Sequence, residues 1–320
     1  MLAIIIPYYK LTFFEATLKS LAAQTCQDFK VYIGDDASTE DPSMLLEKYK
    51  GKFDFVYHRF VTNLGGTSLT QQWERCIALS GNEDWLMILG DDDVLGNTIV
   101  EEFYKNLAAI EGELIKTVRF ATQIIDAKGE LISDVYVHPT LEKTTDFLAR
   151  KFSKQTRSSL SEYIFNASVV FKTGFRNFPL AWHADDMAVL EFTGFEYCFS
   201  INEGLVYVRL SGISLTGDGS LGSLKNGATF DFCKVLFDEY SQKFSVEQKA
   251  ILLKKLEIAF WNLPSLAHYR VLLGHYWRHF GALETVCFQI RIFRTLTLML
   301  LKKVRLFNCV QKVHNKVFKK

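Results

Sequence analysis

Asp84-Trp85-Leu86-Met87-Ile88-Leu89-Gly90-Asp91-Asp92-Asp93 is the stretch on which the reading of this chain turns. Its apolar part, residues 85–89, has no polar alternation, the pattern of a strand buried on both faces. Three carboxylates follow at once. In an open α/β sheet, ligands bind outside the C-terminal ends of the strands. Adjacent anions repel one another, and burying them unpaired is costly. A hard cation, Mn2+ or Mg2+, answers that repulsion and commonly also holds substrate phosphates. Taken alone, the triplet fits two readings: a metal–diphosphate site, or a solvated acidic turn that caps the next helix.

Towards the N-terminus, residues 2–6 read as a first buried strand stopped by Pro7. Residues 13–24 are helical by apolar spacing, with Thr12 and Glu15 in a capping-box pattern. A second strand at 29–33 runs into Gly34-Asp35-Asp36-Ala37-Ser38-Thr39. A short helix at 42–49, a third strand at 53–58, the turn Thr62-Asn63-Leu64-Gly65-Gly66 and a helix at 67–79 lead back to the triplet. This alternation implies a mostly parallel α/β sheet with right-handed crossovers. Beyond the triplet, Asn97 caps a helix to 110, and 117–125 with 131–137 read as a hairpin. Residue 147 centres a helical piece, 167–171 reads as a strand, Asp185-Asp186 opens a helix, and 205–210 is the last strand. Residues 211–223 form a Gly-rich loop. From Lys225 the pattern is helical, with breaks near Pro264 and Gly281.

The 320 residues suffice for one large domain with an appendage, and 48% are hydrophobic. A net charge of +1 gives no hint of nucleic acid. The balance hides an asymmetry: no acid follows Glu284, while 286–320 mixes apolar residues with Arg291, Arg294, Lys302, Lys303, Arg305 and further lysines. Such a basic amphipathic tail suits an anionic membrane surface, or packs on the protein itself. The six cysteines are scattered without CxxC spacing, which argues against zinc and fits reduced thiols. The apolar start is too short for a signal peptide, and no apolar run is long enough to span a bilayer. The expected location is cytoplasmic, peripheral on the inner face of the membrane.

Four motifs in order resemble the large inverting "family two" of nucleotide-sugar glycosyltransferases, over roughly residues 2–215. They are Pro7-Tyr8-Tyr9 after the first strand, Asp35-Asp36-Ala37-Ser38-Thr39, Asn63-Leu64-Gly65-Gly66 with the Asp triplet, and Ala184-Asp185-Asp186. The resemblance implies the GT-A fold. It implies a catalytic domain over 1–223, with a nucleotide half at 1–115 and an acceptor half at 116–223, before a helical region at 224–320. Pro7 and Tyr9 then shape the nucleotide pocket, with Asn63 and Gly65 beside them. Asp36 accepts a hydrogen bond from a uracil-type base and Asp35 positions the nucleoside. Asp92 contacts ribose or diphosphate, Asp93 the metal, and Asp91 helps with either. Asp186 matches the catalytic base, with Asp185 in place of the usual Glu. Arg209 is retained near the diphosphate. Two positions depart from the pattern: Gly90, where the family often has Asp, and Ser211, where it often has His.

Sugar transfer from a nucleoside diphosphate needs positive charge on the departing diphosphate and a base for the acceptor hydroxyl. Two carboxylate clusters suit that division. The donor expected is a UDP-linked hexose or N-acetylhexosamine. The acceptor expected is a glycan or lipid-linked glycan of a surface polysaccharide. Bland readings stand beside these: Asp185 as a helix cap, Asp35 and Asp36 as an Asx turn, Trp182 and His183 as helix packing rather than acceptor contacts. A sugar nucleotidyltransferase would want a Gly-rich basic loop where Pro7-Tyr8-Tyr9-Lys10 stands. A degenerate, non-catalytic binding protein is kept in view by Gly90 and Ser211.

Overall fold

The computed structural model describes residues 1–212 and 217–317, with side chains to 298 except 296. The lysines and arginine from 302 to 320 therefore lie outside the described side chains. In order, the chain forms β1 (Leu2–Tyr8), α1 (Phe14–Ala22), β2 (Phe29–Asp35), α2 (Ser43–Tyr49), β3 (Asp54–Arg59), α3 (Leu69–Ile77), β4 (Trp85–Ile88), β5 (Val94–Leu95) and α4 (Ile99–Gly112). Then come β6 (Thr117–Ile125), β7 (Leu141–Lys143), α5 (Thr144–Phe152), β8 (Tyr163–Asn166), α6 (Ala167–Thr173), α7 (Ala184–Phe192) and β9 (Tyr197–Arg209). α8 (Gly222–Tyr240), α9 (Val246–Asn262) and α10 (Leu266–Val317) close the chain, and α10 is broken at Gly281, whose φ of 84° is not helical, where the sequence suggested a break. By contacts it divides into Met1–Leu263 and Pro264–Lys320, so α8 and α9 group with the sheet.

The sheet runs β3-β2-β1-β4-β8-β6-β9-β5, with β7 on β9. Its first four strands are parallel, as expected, and every residue of β4 is buried. The other half is mixed: β8 is antiparallel to both β4 and β6, while β6 and β9 are parallel. The sheet is thus less parallel than the alternation suggested. At its centre the strand is Tyr163–Asn166, not 167–171, which is helix α6. Both runs are short and apolar, so periodicity does not separate them. Burial does: Tyr163, Ile164 and Phe165 are fully enclosed, whereas Phe171 is 57% exposed.

Other expectations need correction. Pro7 does not stop β1, which pairs with β2 through Tyr8–Asp35. Pairing with β4 ends at Ile5–Ile88, and Pro7 has the same parity as Ile5, so its missing N–H leaves no ladder bond unmade. Thr12 is not a cap: α1 begins after Phe13 with no side-chain cap, and Thr98, not Asn97, precedes α4. Residues 131–137 form no strand of their own: they meet β6 at the bridges Thr122–Tyr136 and Ile125–Leu131 and through bonds such as Ile132 N–H to Ile124 O and Ile124 N–H to Ser133 Oγ. The last strand starts at Tyr197, well before 205.

The parallel half of the sheet closes tightly around Gly34 of β2. A Cβ there would stand 2.3 Å from Cys76 Sγ of α3 and 3.0 Å from the Phe60 ring. Close helix–strand approach at this edge therefore depends on glycine. Gly34→Ala should lower stability by about 1–3 kcal/mol through overpacking. Urea denaturation midpoints would show it, and adding Cys76→Ala should recover part of the loss.

Candidate active site

Asp91, Asp92 and Asp93 begin where β4 ends, beside the C-terminal ends of β1 and β2. They line a cleft of about 590 Å³ with Pro7, Tyr9, Asp36, Asn63, Gly65 and Arg209. Nine of the residues singled out in the sequence thus meet in one place. Asp35, Trp182, His183, Asp185 and Asp186 do not line it.

The three carboxylates have different partners. Asp91 Oδ2 accepts the backbone N–H groups of Tyr9 and Lys10, both at 2.8 Å, and so fastens the β1–α1 loop. Asp93 Oδ1 accepts Arg209 N–H at 2.8 Å, and its Oδ2 accepts the Ser161 hydroxyl at 2.5 Å. Asp92 makes no side-chain hydrogen bond among the described residues. Burial, and then repulsion from Asp93 and Asp91, pushes its carboxyl up to about 8. Burial likewise raises Asp91 to about 6, against two backbone donors, and raises Asp93. Arg209 Nε donates to Asp92 O and its Nη1 to Asp126 O, so this arginine braces the triplet's backbone.

Across the cleft, Asp36 organises the turn after β3. It accepts the N–H groups of Leu64 at 2.7 Å and Gly65 at 2.9 Å, and pairs with Arg75. A Cβ on Gly65 would stand 2.6 Å from Asp36 Oδ2, so only glycine permits this approach. The Arg75 guanidinium lies 3.9 Å over the Phe60 ring. Asp35 is wholly buried and saturated by Ser38 N–H, the Tyr57 hydroxyl and Arg59. It shapes the loop rather than facing the cleft.

Ser159, Leu160 and Ser161 also line the cleft and were not singled out in the sequence. Their signal was there, since Ser159 and Glu162 form a capping box around the short 3₁₀ turn Leu160–Glu162. Glu162 is fully enclosed. Burial pushes its carboxyl up to about 7 against the pull of Arg157, Arg119 and Lys151.

Whether these residues suit a divalent cation can be judged from the donors. Among the described residues no group of three or more His, Cys, Asp or Glu stands ready-made around an ion. However, Asp92 Oδ1, Asp93 Oδ2 and Ser161 Oγ lie 3.0, 3.2 and 3.5 Å from the point where a Gly90 Cβ would sit. Hard oxygens with raised carboxyl pKa values converge on space that glycine leaves open. That suits a cation completed by phosphate oxygens, the usual situation for Mg2+.

Asp186 sits in a different environment. It is 2% exposed, and its oxygens take Lys151 Nζ at 2.5 Å and His183 Nδ1 at 2.7 Å. Burial opposes ionisation there, but the Lys151 charge and the His183 bond hold the carboxyl well below the usual range. His183 also meets Thr229 Oγ1 at 3.0 Å and stacks on Phe232 at 4.7 Å. These contacts hold its left-handed φ of 70° ahead of α7. Lys225 stands 5.1 Å over the Trp182 ring. Asp185 is half-buried and has a raised carboxyl, from burial and then from Asp186.

Asp186→Asn strands Lys151 without its counter-charge and should lower stability by roughly 3–5 kcal/mol near neutral pH. A carboxyl held low when folded contributes stability above its unfolded pKa, which is lost as the pH falls. The gap to wild type should therefore close below about pH 4. Asp185→Asn should leave stability unchanged or slightly raised. Chemical denaturation across pH checks both.

Residues 3–170 match the family described as Glycosyl transferase family 2. Among solved structures, S. aureus TarS 1–349 in complex with UDP-GlcNAc superposes with a TM-score of 0.62 at 15% identity, over 86% of this chain and 79% of that one. TarS 1–349 alone gives 0.60 at 14% identity, over 87% and 80%. Its complex with UDP gives 0.53 at 16% identity, over 84% and 82%. No curated protein matches by sequence. At this identity the structures speak for the fold, the GT-A fold, and the family match covers more than half of the chain. The chain belongs to glycosyl transferase family 2.

Proposed function

We propose that this glycosyltransferase moves a hexose or N-acetylhexosamine from a UDP-linked donor to a hydroxyl of a glycan or lipid-linked glycan, with inversion, in surface polysaccharide synthesis. The observation that carries the reading is the meeting of Asp36 with Asp91–Asp93 in one cleft. The first suits a nucleoside and the second its diphosphate. The TarS complexes with UDP-GlcNAc and UDP support the choice of nucleotide.

In this reading Tyr9, Asn63 and Gly65 wall the base and Asp36 accepts its N–H. Asp92 and Asp93 hold Mn2+ or Mg2+, which when bound neutralises charge on the departing diphosphate. Asp91 keeps the β1–α1 loop against the donor, and Arg209 keeps the triplet's backbone in place. The proton of the acceptor hydroxyl goes to the Asp185-Asp186 turn. The resemblance favours Asp186 as base. What favours Asp185 is that Asp186 already holds two partners while the raised Asp185 carboxyl accepts a proton more readily. Trp182 and His183 stand next to that turn on the acceptor side. Attack opposite the leaving group turns an α-linked donor into a β-glycoside.

UDP should raise the melting temperature more with Mn2+ than with EDTA, since a ligand bound only by the native state stabilises it by about 2.7 kcal/mol at a hundredfold its Kd. Asp92→Asn should remove the Mn2+ increment. A screen of UDP- and GDP-sugars for nucleotide release then names the donor, and an α-linked product from an α-linked donor would rule out inversion.

The chain also docks on an anionic membrane surface, on the cytoplasmic face, through its C-terminal helix. Among the described residues no helix is long and apolar enough to cross a membrane. In α10, Leu283, Val286, Ile290 and Phe293 fall on one stripe and are 76, 49, 61 and 74% exposed. Arg291 and Arg294 flank it, and the opposite side is buried at Phe288 and Ile292. Exchanging Ile290 and Phe293 for Glu should abolish co-sedimentation with phosphatidylserine vesicles and leave UDP binding unchanged. Equal sedimentation of the variant would refute docking by this face.

A further inference from the structure

Gly90 stands where the family often carries a carboxylate, and the space it vacates is occupied in a specific way. Its backbone N–H donates to Ser161 Oγ at 3.0 Å, and the same hydroxyl donates to Asp93 Oδ2 at 2.5 Å. Ser161 is 3% exposed and comes from the 3₁₀ turn before β8, far along the chain from the triplet. One hydroxyl therefore has both of its roles fixed by the strand end it serves. It accepts from the main chain before the carboxylates and donates a hydrogen bond to the last of the three acids. Because Arg209 N–H holds the other oxygen of Asp93, the carboxylate is clamped in one rotamer. Asp92 has no such clamp.

We infer that Ser161 is the positioning residue of the cation site, and that Gly90 and Ser161 together replace the missing carboxylate. The inference rests on the donor-site reading above. Ser161 borders the same space, but its hydroxyl is already engaged, accepting from Gly90 N–H and donating to Asp93. It acts through Asp93, directing that oxygen toward the same open volume that Asp92 Oδ1 borders. Gly90 keeps the volume open: a Cβ there would press on both carboxylates, at 3.0 and 3.2 Å. The chain would thus place no fourth acid on an already crowded anionic turn, and a neutral hydroxyl would orient the acids it has. Outer partners of this kind typically govern metal affinity by about 10- to 100-fold.

The test is calorimetric titration of Mn2+ into the UDP-saturated full-length protein, alongside UDP binding in EDTA. Ser161→Ala should weaken Mn2+ binding by about 10-fold or more and leave metal-free UDP affinity and the unliganded melting temperature near wild type. A merely structural role would lower all three together. Gly90→Ala, which keeps the hydroxyl, should weaken Mn2+ in the same selective way and serves if Ser161→Ala folds poorly. Wild-type Mn2+ affinity in both folded variants overturns the inference while leaving the donor site standing. A wild-type protein whose UDP binding ignores Mn2+ overturns the cation reading, and this inference with it.

Discussion

Electrostatic repulsion among Asp91, Asp92 and Asp93 is the constraint around which the rest of the structure is arranged. Three acids at a strand end are unstable neighbours, and the fold disposes of them one by one. Asp91 is tied to the loop after β1, and Asp93 to β9 and to the turn before β8. Asp92 remains, with a carboxyl raised by burial and by the other two. The sheet order makes this possible, because β1 and β8 both neighbour β4. What looks like an acidic patch is a junction at which several elements are fastened.

The N-terminal half was legible because β1, β2 and β4 are enclosed on both faces and short polar motifs follow directly after these apolar runs. Residues 2–6, 29–33 and 85–89 left little room for another reading. The part of the sheet built from β5 to β9 was not. Its strands mix directions, so the alternation of elements no longer dictates topology, and β8 is only Tyr163–Asn166. Within the site, residue types with obvious chemistry were found, and those acting through geometry were missed. Ser161 carries no chemical signature of its own. Asp35 and Asp36 are adjacent and alike in sequence, yet one is wholly enclosed by Tyr57, Arg59 and Ser38 and the other borders the cleft. Only tertiary contacts distinguish them.

Residues 119–186 hold a second set of charges. Arg119 is fully buried, bonded to Glu142 and Ser200, and lies 4.2 Å over Phe147. Arg150 pairs with the same Glu142. Glu162, Arg157, Lys151 and Asp186 follow toward α7, each feeling its neighbour's charge. Deleting one member of such a set leaves another uncompensated in a low dielectric. Loss of activity at these positions therefore reports folding as much as chemistry.

The turn at Asn63 to Gly66 is latched to Asp36 by the N–H groups of Leu64 and Gly65 and to Asn63 Oδ1 by that of Gly66. A turn fixed by its own hydrogen bonds has little conformational freedom to lose on binding, so less of the binding free energy of any ligand in the cleft is diverted into ordering it. Selection at such a wall rests on a fixed shape, as a mould selects its casting, instead of on a loop that closes around whatever enters.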